Sequence, residues 1–134
     1  MIVYFDTSAL VKRYLVEEGS PAIEALWNAT TRAVASEILY DEMAATFARK
    51  KREVPADADS IEKARSTFRT EWLSMRRIAV GDDVHARVDE LLARHPLRGA
   101  DAIHLASALL VHAALQQPVT FACADQKPPR LGPT

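Results

Sequence analysis

Four consecutive β-branched or aromatic residues, Ile2-Val3-Tyr4-Phe5, are followed at once by Asp6, two hydroxyl residues and the pattern Ala9-Leu10-Val11-Lys12-Arg13-Tyr14-Leu15. No other stretch restricts the fold as much. An apolar run of this kind suits a strand buried on both faces, as in a parallel sheet. A strand that passes straight into a helical pattern opens a βα unit. In open α/β sheets the ligand site lies just beyond the carboxyl ends of the strands. Asp6 is placed there, so the question for the rest of the sequence is what joins it.

The remaining pattern repeats the alternation. Helix is expected from Ala9 to about Glu17, stopped near Gly19. A second helix follows, with Ser20 as N-cap and Pro21 at its first position, carrying Ile23, Leu26 and Trp27 on one side. Arg32 to Ser36 reads as a strand, and Glu37 to about Arg52 as a helix ending in the basic run Arg49-Lys50-Lys51-Arg52. Val54-Pro55 breaks it. Asp57 or Asp59 then caps a helix to about Met75, with Ile61, Ala64, Phe68, Trp72 and Met75 as its apolar stripe. Arg77 to Val80 reads as the third strand. Gly81-Asp82 opens a helix bearing Val84, Val88, Leu91 and Leu92, ended by His95-Pro96. Gly99 to Gln116 is a helix apolar nearly all round, which calls for a central, buried place. Val119 to Ala122 is the fourth strand. Strands separated by helices imply a three-layer α/β fold with a mainly parallel sheet. Residues 1–127 form one domain, and the proline-rich residues 128–134 suit no regular structure.

With 134 residues, 49% apolar and 26% charged, the sequence has the make-up of an ordinary globular domain. Cys123 stands alone, which excludes a disulfide framework and a thiolate metal cage. The histidines at 85, 95, 104 and 112 lack zinc-site spacing. No stretch has the length of a membrane span or the form of a leader, so a reducing cytoplasm is expected. The net charge of −1 sets up no global basic field for nucleic acid. Bound cations can supply positive charge that the sequence lacks.

The informative residues are acids in apolar surroundings. At about 100° per residue, the helix from Glu37 buries Ile38, Leu39, Met43, Thr46 and Phe47, while Glu37 and Asp41 point away. Glu42 falls inside the apolar arc, where a charge is costly unless paired or metal-bound. The competing reading is an edge residue whose stem snorkels outward. Asp101 lies in the first turn of the most apolar helix, where the dipole favours an anion. There it reads as a site acid or as an N-terminal cap. Asp125 follows the fourth strand as Asp6 follows the first, and on its own each is also a plain turn former. Four converging carboxylates would repel one another without a cation. With Mg²⁺ or Mn²⁺ between them the arrangement becomes favourable, because hard cations take carboxylate and water oxygens. Such a site has the means for in-line hydrolysis of a phosphodiester.

With Asp6, Glu42, Asp101 and Asp125 in that order, the chain resembles the PIN-domain ribonucleases, in particular the VapC-type toxins of bacterial toxin–antitoxin pairs. The matching stretches are Val3-Tyr4-Phe5-Asp6-Thr7-Ser8-Ala9-Leu10-Val11-Lys12, Ala35-Ser36 with Glu42 six residues on, Leu97-Arg98-Gly99-Ala100-Asp101-Ala102-Ile103-His104-Leu105-Ala106, and Phe121-Ala122-Cys123-Ala124-Asp125. The resemblance implies a PIN-like α/β/α fold and an acidic pocket binding Mg²⁺ or Mn²⁺. It further implies endonucleolytic RNA cleavage by an activated water, a homodimer, and inhibition by a cognate VapB-type antitoxin. Carried over by position, Asp6, Glu42 and Asp101 are the core acids and metal ligands, and Asp125 is the fourth. The hydroxyl of Thr7 or Ser8 is then available to a water or phosphate, although Ser8 is equally an N-cap of the first helix, the preferred reading.

The end of the chain departs from the family, whose members usually continue with a helix and a last strand. Lys127-Pro128-Pro129 forbids that helix, so the sheet is expected to have four strands, or five with a vestigial last one. His104 reads as a structural histidine within its helix. Lys12 and Arg13, near the Asp6 edge, are the basic residues better placed for phosphate contact. A phosphatase with an aspartyl nucleophile is the competing enzyme, but that chemistry wants a second acid two residues on, where Ser8 stands. A PIN-like module that binds RNA or protein without efficient cleavage is the non-enzymatic alternative.

Overall fold

The computed structural model describes residues 1–124, so Asp125 and the proline-rich tail lie outside the described residues. The chain runs β1 (Ile2–Phe5), α1 (Thr7–Tyr14), α2 (Ser20–Ala29), β2 (Arg32–Ser36), α3 (Ile38–Glu53), a 3₁₀ turn (Pro55–Asp57), α4 (Ala58–Trp72), β3 (Arg76–Ile78), α5 (Asp82–Arg94), α6 (Gly99–Leu115) and β4 (Val119–Ala122). The four strands form one sheet of order β3-β2-β1-β4. All three pairings are parallel.

Alternation along the strands divides the core. Val3, Phe5 and Ala35 face α1, α3 and α4, packing with Leu10, Leu39, Met43, Phe47, Phe68 and Trp72. Tyr4 and Val34 face the other way, against Ala108 and Val111 of α6. Helix α5 packs outside against α6. Helices therefore cover both faces, which accounts for the apolar character of β1 on both sides. The sheet order makes β1 the switch strand. The chain steps from it to β2 on one side and returns to β4 on the other, and ligand clefts open at such points.

Local chemistry shifts several boundaries. Helix α1 begins at Thr7, because the Asp6 carboxylate accepts from the Ala9 N–H at 3.0 Å. The cap is thus Asp6 and not Ser8, which lies inside the helix. Ser20 does not cap α2 either. Gly19, at φ +90°, makes the turn into that helix, while the Ser20 hydroxyl accepts from the Glu17 N–H. Such a positive φ favours glycine. Strand β3 ends at Ile78 and not Val80, because its partner β2 ends at Ser36; the Glu37 N–H to Ile78 carbonyl bond closes the ladder. Helix α6 is buried from Ala102 through Ala108, Ile103 excepted, but His112, Ala113 and Ala114 emerge at its end. Its apolar character exceeds its burial.

Candidate active site

Asp6 is held by the start of α1. Its Oδ1 accepts from the Ala9 N–H and, at 2.8 Å, from the Ser8 hydroxyl. The Ser8 oxygen in turn accepts from the Ala124 N–H at 3.1 Å. Ser8 therefore ties the end of β1 to the end of β4. The Asp6 N–H also donates to the Ala122 carbonyl at 3.0 Å, extending the β1–β4 ladder to the acid itself.

Asp101 approaches from α6. That helix starts at Gly99, and no side chain caps it. The cap reading of Asp101 therefore fails. Its carboxylate meets the Arg98 guanidinium at 3.3 Å, a pair whose Arg98 side chain is 89% exposed. Asp6 and Asp101 share one cleft of about 350 Å³ at the switch point, together with Ser8, Arg98, Phe121 and Cys123.

Glu42 stands next to this cleft. It projects from α3 toward the carboxyl ends of the strands, and its Oε1 takes two donors. The Thr7 hydroxyl donates at 2.7 Å, and the His104 Nε2 lies at 2.6 Å. Glu42 is thus bonded to the neighbour of Asp6 and to a residue one turn beyond Asp101. It is not a snorkelling edge residue, whereas Glu37 and Asp41 do face outward. The His104 Nδ1 meets the Tyr4 hydroxyl at 2.9 Å. Tyr4 and His104 were legible only as a buried strand residue and a structural histidine. The one signal was that both polar groups fall on strongly apolar elements, where they need partners.

The field over these acids is uneven. Burial pushes the Asp6 carboxyl above its ordinary range, and the negative charge of Asp101 adds to that, against the Ser8 and Ala9 donors and His104. For Glu42 burial acts in the same direction, but the His104 and Thr7 hydrogen bonds outweigh it and hold the carboxyl below the usual range. Two acids, Asp6 and Asp101, line the cleft, and carboxylate oxygens are donors of the kind a hard divalent cation takes. Among the described residues no three acid, histidine or cysteine side chains form a ready cage. Two carboxylates on one cleft are within the number by which Mg²⁺ is commonly held, water and substrate phosphate completing its shell.

Lys12 and Arg13 do not serve the cleft. The Lys12 ammonium is taken by Glu17 and the Glu18 carbonyl, and Arg13 is taken by Glu24 and Glu71. The basic run ending α3 is partly neutralised, with Arg49 paired to Glu53 and Lys51 to Glu62.

The PIN domain family model matches residues 3–116. The chain belongs to the PIN domain family. Two curated relatives of this PIN domain carry the name ribonuclease: VapC45 of Mycobacterium tuberculosis strain CDC 1551 / Oshkosh and VapC49 of strain ATCC 25618 / H37Rv. Each is 36% identical over 110 residues, covering 82% of this chain and 76% of the relative. The VapC-type resemblance read from the sequence is thereby shown. Among solved structures, Mycobacterium tuberculosis VapC20, described as a sarcin–ricin loop cleaving toxin, matches with a TM-score of 0.63. It is 18% identical, covering 92% of this chain and 90% of that one. At that identity the likeness is one of PIN fold, and it agrees with the four-stranded parallel sheet.

Proposed function

We propose that this PIN domain is a metal-dependent endoribonuclease, the toxin of a type II toxin–antitoxin pair, and that Asp6, Glu42, Asp101 and Asp125 are its site acids. The observation that carries the reading is the cleft at the β1–β4 switch point, where Asp6 and Asp101 face one space in a chain similar to VapC ribonucleases. Asp6, Glu42 and Asp101 would hold Mg²⁺ or Mn²⁺, with Asp125, which lies outside the described residues, as the fourth acid. The bound ion would polarise a scissile phosphate and make water a better nucleophile.

The chain's own residues do the rest. The Ala9 N–H and Ser8 hydroxyl fix Asp6 through a single oxygen, so its other oxygen has no donor among the described residues. The Thr7 hydroxyl and His104 fix Glu42 in the same manner. Arg98 lines the cleft and pairs with Asp101 at 3.3 Å, and its guanidinium would be free for a phosphate once Asp101 is otherwise engaged. The proposed partners are RNA as substrate, a VapB-type antitoxin over the cleft and a second copy of the chain, with the cytoplasm as the place of action. No helix among the described residues is long and apolar enough to cross a membrane.

The test is incubation of purified, antitoxin-free protein with structured RNAs in Mn²⁺ or Mg²⁺. Cleavage is expected with the ion and not with EDTA. Asp6→Asn and Asp101→Asn are expected to lose more than the roughly 10–100-fold that removal of an outer-shell partner costs. Variants that cut as well as wild type would sink the assignment. RNA that is retained in a gel shift but never cut would favour the binding-module reading.

A further inference from the structure

We propose that His104 is a positioning residue for Glu42, and that with Tyr4 it forms a buried strut which leaves one Glu42 oxygen to the divalent cation. The inference rests on the proposed metal-dependent site. Tyr4 is 0% exposed and His104 3% exposed, both in the apolar layer between the sheet and α6. Placing two polar groups there is costly unless each is bonded. Both are bonded, and no described buried side-chain nitrogen or oxygen lacks a partner. The bonds form a directed line from the Tyr4 hydroxyl to His104 Nδ1 at 2.9 Å, and from Nε2 to Glu42 Oε1 at 2.6 Å.

The direction follows from the donor inventory. An ionised carboxylate only accepts, so Nε2 carries the hydrogen and, in a neutral ring, Nδ1 accepts from Tyr4. The strut is braced at its far end, because the Tyr4 ring stacks on Phe121 of β4, centroids 5.5 Å apart and planes within 8°. Phe121 also lines the cleft. Thr7 brings a second donor to the same Oε1, and no described residue donates to Oε2. The carboxylate is therefore gripped by one oxygen from two sides. Partners of this kind orient metal-ligating acids and set their affinity.

The experiment measures Mn²⁺ dissociation constants by electron paramagnetic resonance on wild type, His104→Leu, His104→Gln and Tyr4→Phe, beside RNA cleavage and thermal unfolding. His104→Leu is expected to weaken Mn²⁺ binding by about 10–100-fold. His104→Gln, whose amide keeps a donor near the Nε2 position, is expected to restore most of it, and Tyr4→Phe to weaken it in the same direction. A filler role for His104 would move the melting temperature alone; a folded His104→Leu that binds Mn²⁺ as wild type overturns the strut. Should His104→Leu not fold, ¹⁵N resonances of wild-type histidines decide. The proton is expected on Nε2 of His104, and added Mg²⁺ is expected to shift that resonance and not those of His85, His95 and His112. A proton on Nδ1, or a His104 resonance unmoved by Mg²⁺, overturns the inference. Wild type that neither binds Mn²⁺ nor cuts RNA removes the proposed function and this inference with it, whereas failure confined to the variants removes the strut alone.

Discussion

Asp6 carries two duties at once, as cap of α1 and as an acid of the cleft. Asparagine caps helices about as well as aspartate, while alanine lacks the acceptor and costs about 1 kcal/mol. Burial and Asp101 already work against the Asp6 charge. Asp6→Asn is therefore expected to unfold at the same urea concentration as wild type or higher, and Asp6→Ala to fall about 1 kcal/mol below Asp6→Asn. A strongly destabilised Asp6→Asn would contradict this. Arg13 shows charge in a structural role. Its side chain is 16% exposed, it pairs with Glu71 at 2.6 Å and Glu24 at 2.7 Å, and it lies 4.4 Å from the Trp27 ring centroid. Burial raises the Glu71 carboxyl, but Arg13 and Tyr14 outweigh it and hold it below the ordinary value of 4.5. A depressed folded pKa means that the pair stabilises fully above the ordinary value and loses that contribution as pH falls through the folded one. Wild type is expected to exceed Glu71→Gln in urea midpoint at pH 7, with the gap closing as pH drops well below 4.5. A gap independent of pH would show that the charge is irrelevant.

Among the elements, α4 shows how an amphipathic stripe becomes a core. Phe68, 1% exposed, has ring neighbours in Tyr14, Phe47, Tyr40 and Trp72 at 5.5, 6.1, 5.9 and 5.9 Å. It joins α1, α3 and α4, so Phe68→Ala is expected to cost about 3–5 kcal/mol by denaturant titration. A loss under about 1 kcal/mol would mean that the cluster collapses to fill the space. The stripe Ile61, Phe68 and Trp72 was legible because a helix with one wet face writes its 3.6-residue period into the sequence. Boundaries were less legible where side chains make them. Asp6 reaching Ala9 starts α1 early, and Gly19 displaces Ser20 at α2. Hydroxyl and carboxylate caps look alike in a sequence, and only the backbone path chooses between Asp6 and Ser8.

For the molecule as a whole, the net charge of −1 sets up no global basic field for RNA, and Arg49 and Lys51 at the end of α3 are engaged by Glu53 and Glu62. Phosphate neutralisation by protein cations gives steep salt dependence. RNA binding by this chain is expected to need the divalent ion and to show a shallow salt slope without it, measured by filter binding with and without EDTA. Tight, steeply salt-dependent binding in EDTA would point to a basic track instead. Asp6, Glu42 and Asp101 stood out as candidates because each is an acid in apolar surroundings, and the structure brings Asp6 and Asp101 to one cleft with Glu42 hydrogen-bonded next to it. The Tyr4–His104 pair did not stand out, since tyrosine and histidine pass as apolar filler until the topology sets β1 against α6. One consequence of the order β3-β2-β1-β4 concerns motion. The cleft has a central strand for its floor and, among the described residues, an edge strand for one wall, joined by the β1–β4 ladder and the Ser8 bridge. Edge segments open at a smaller free energy than the whole fold. The wall carrying Phe121 and Cys123 can therefore breathe while the strand that delivers Asp6 stays in place, so widening the cleft need not unmake the core.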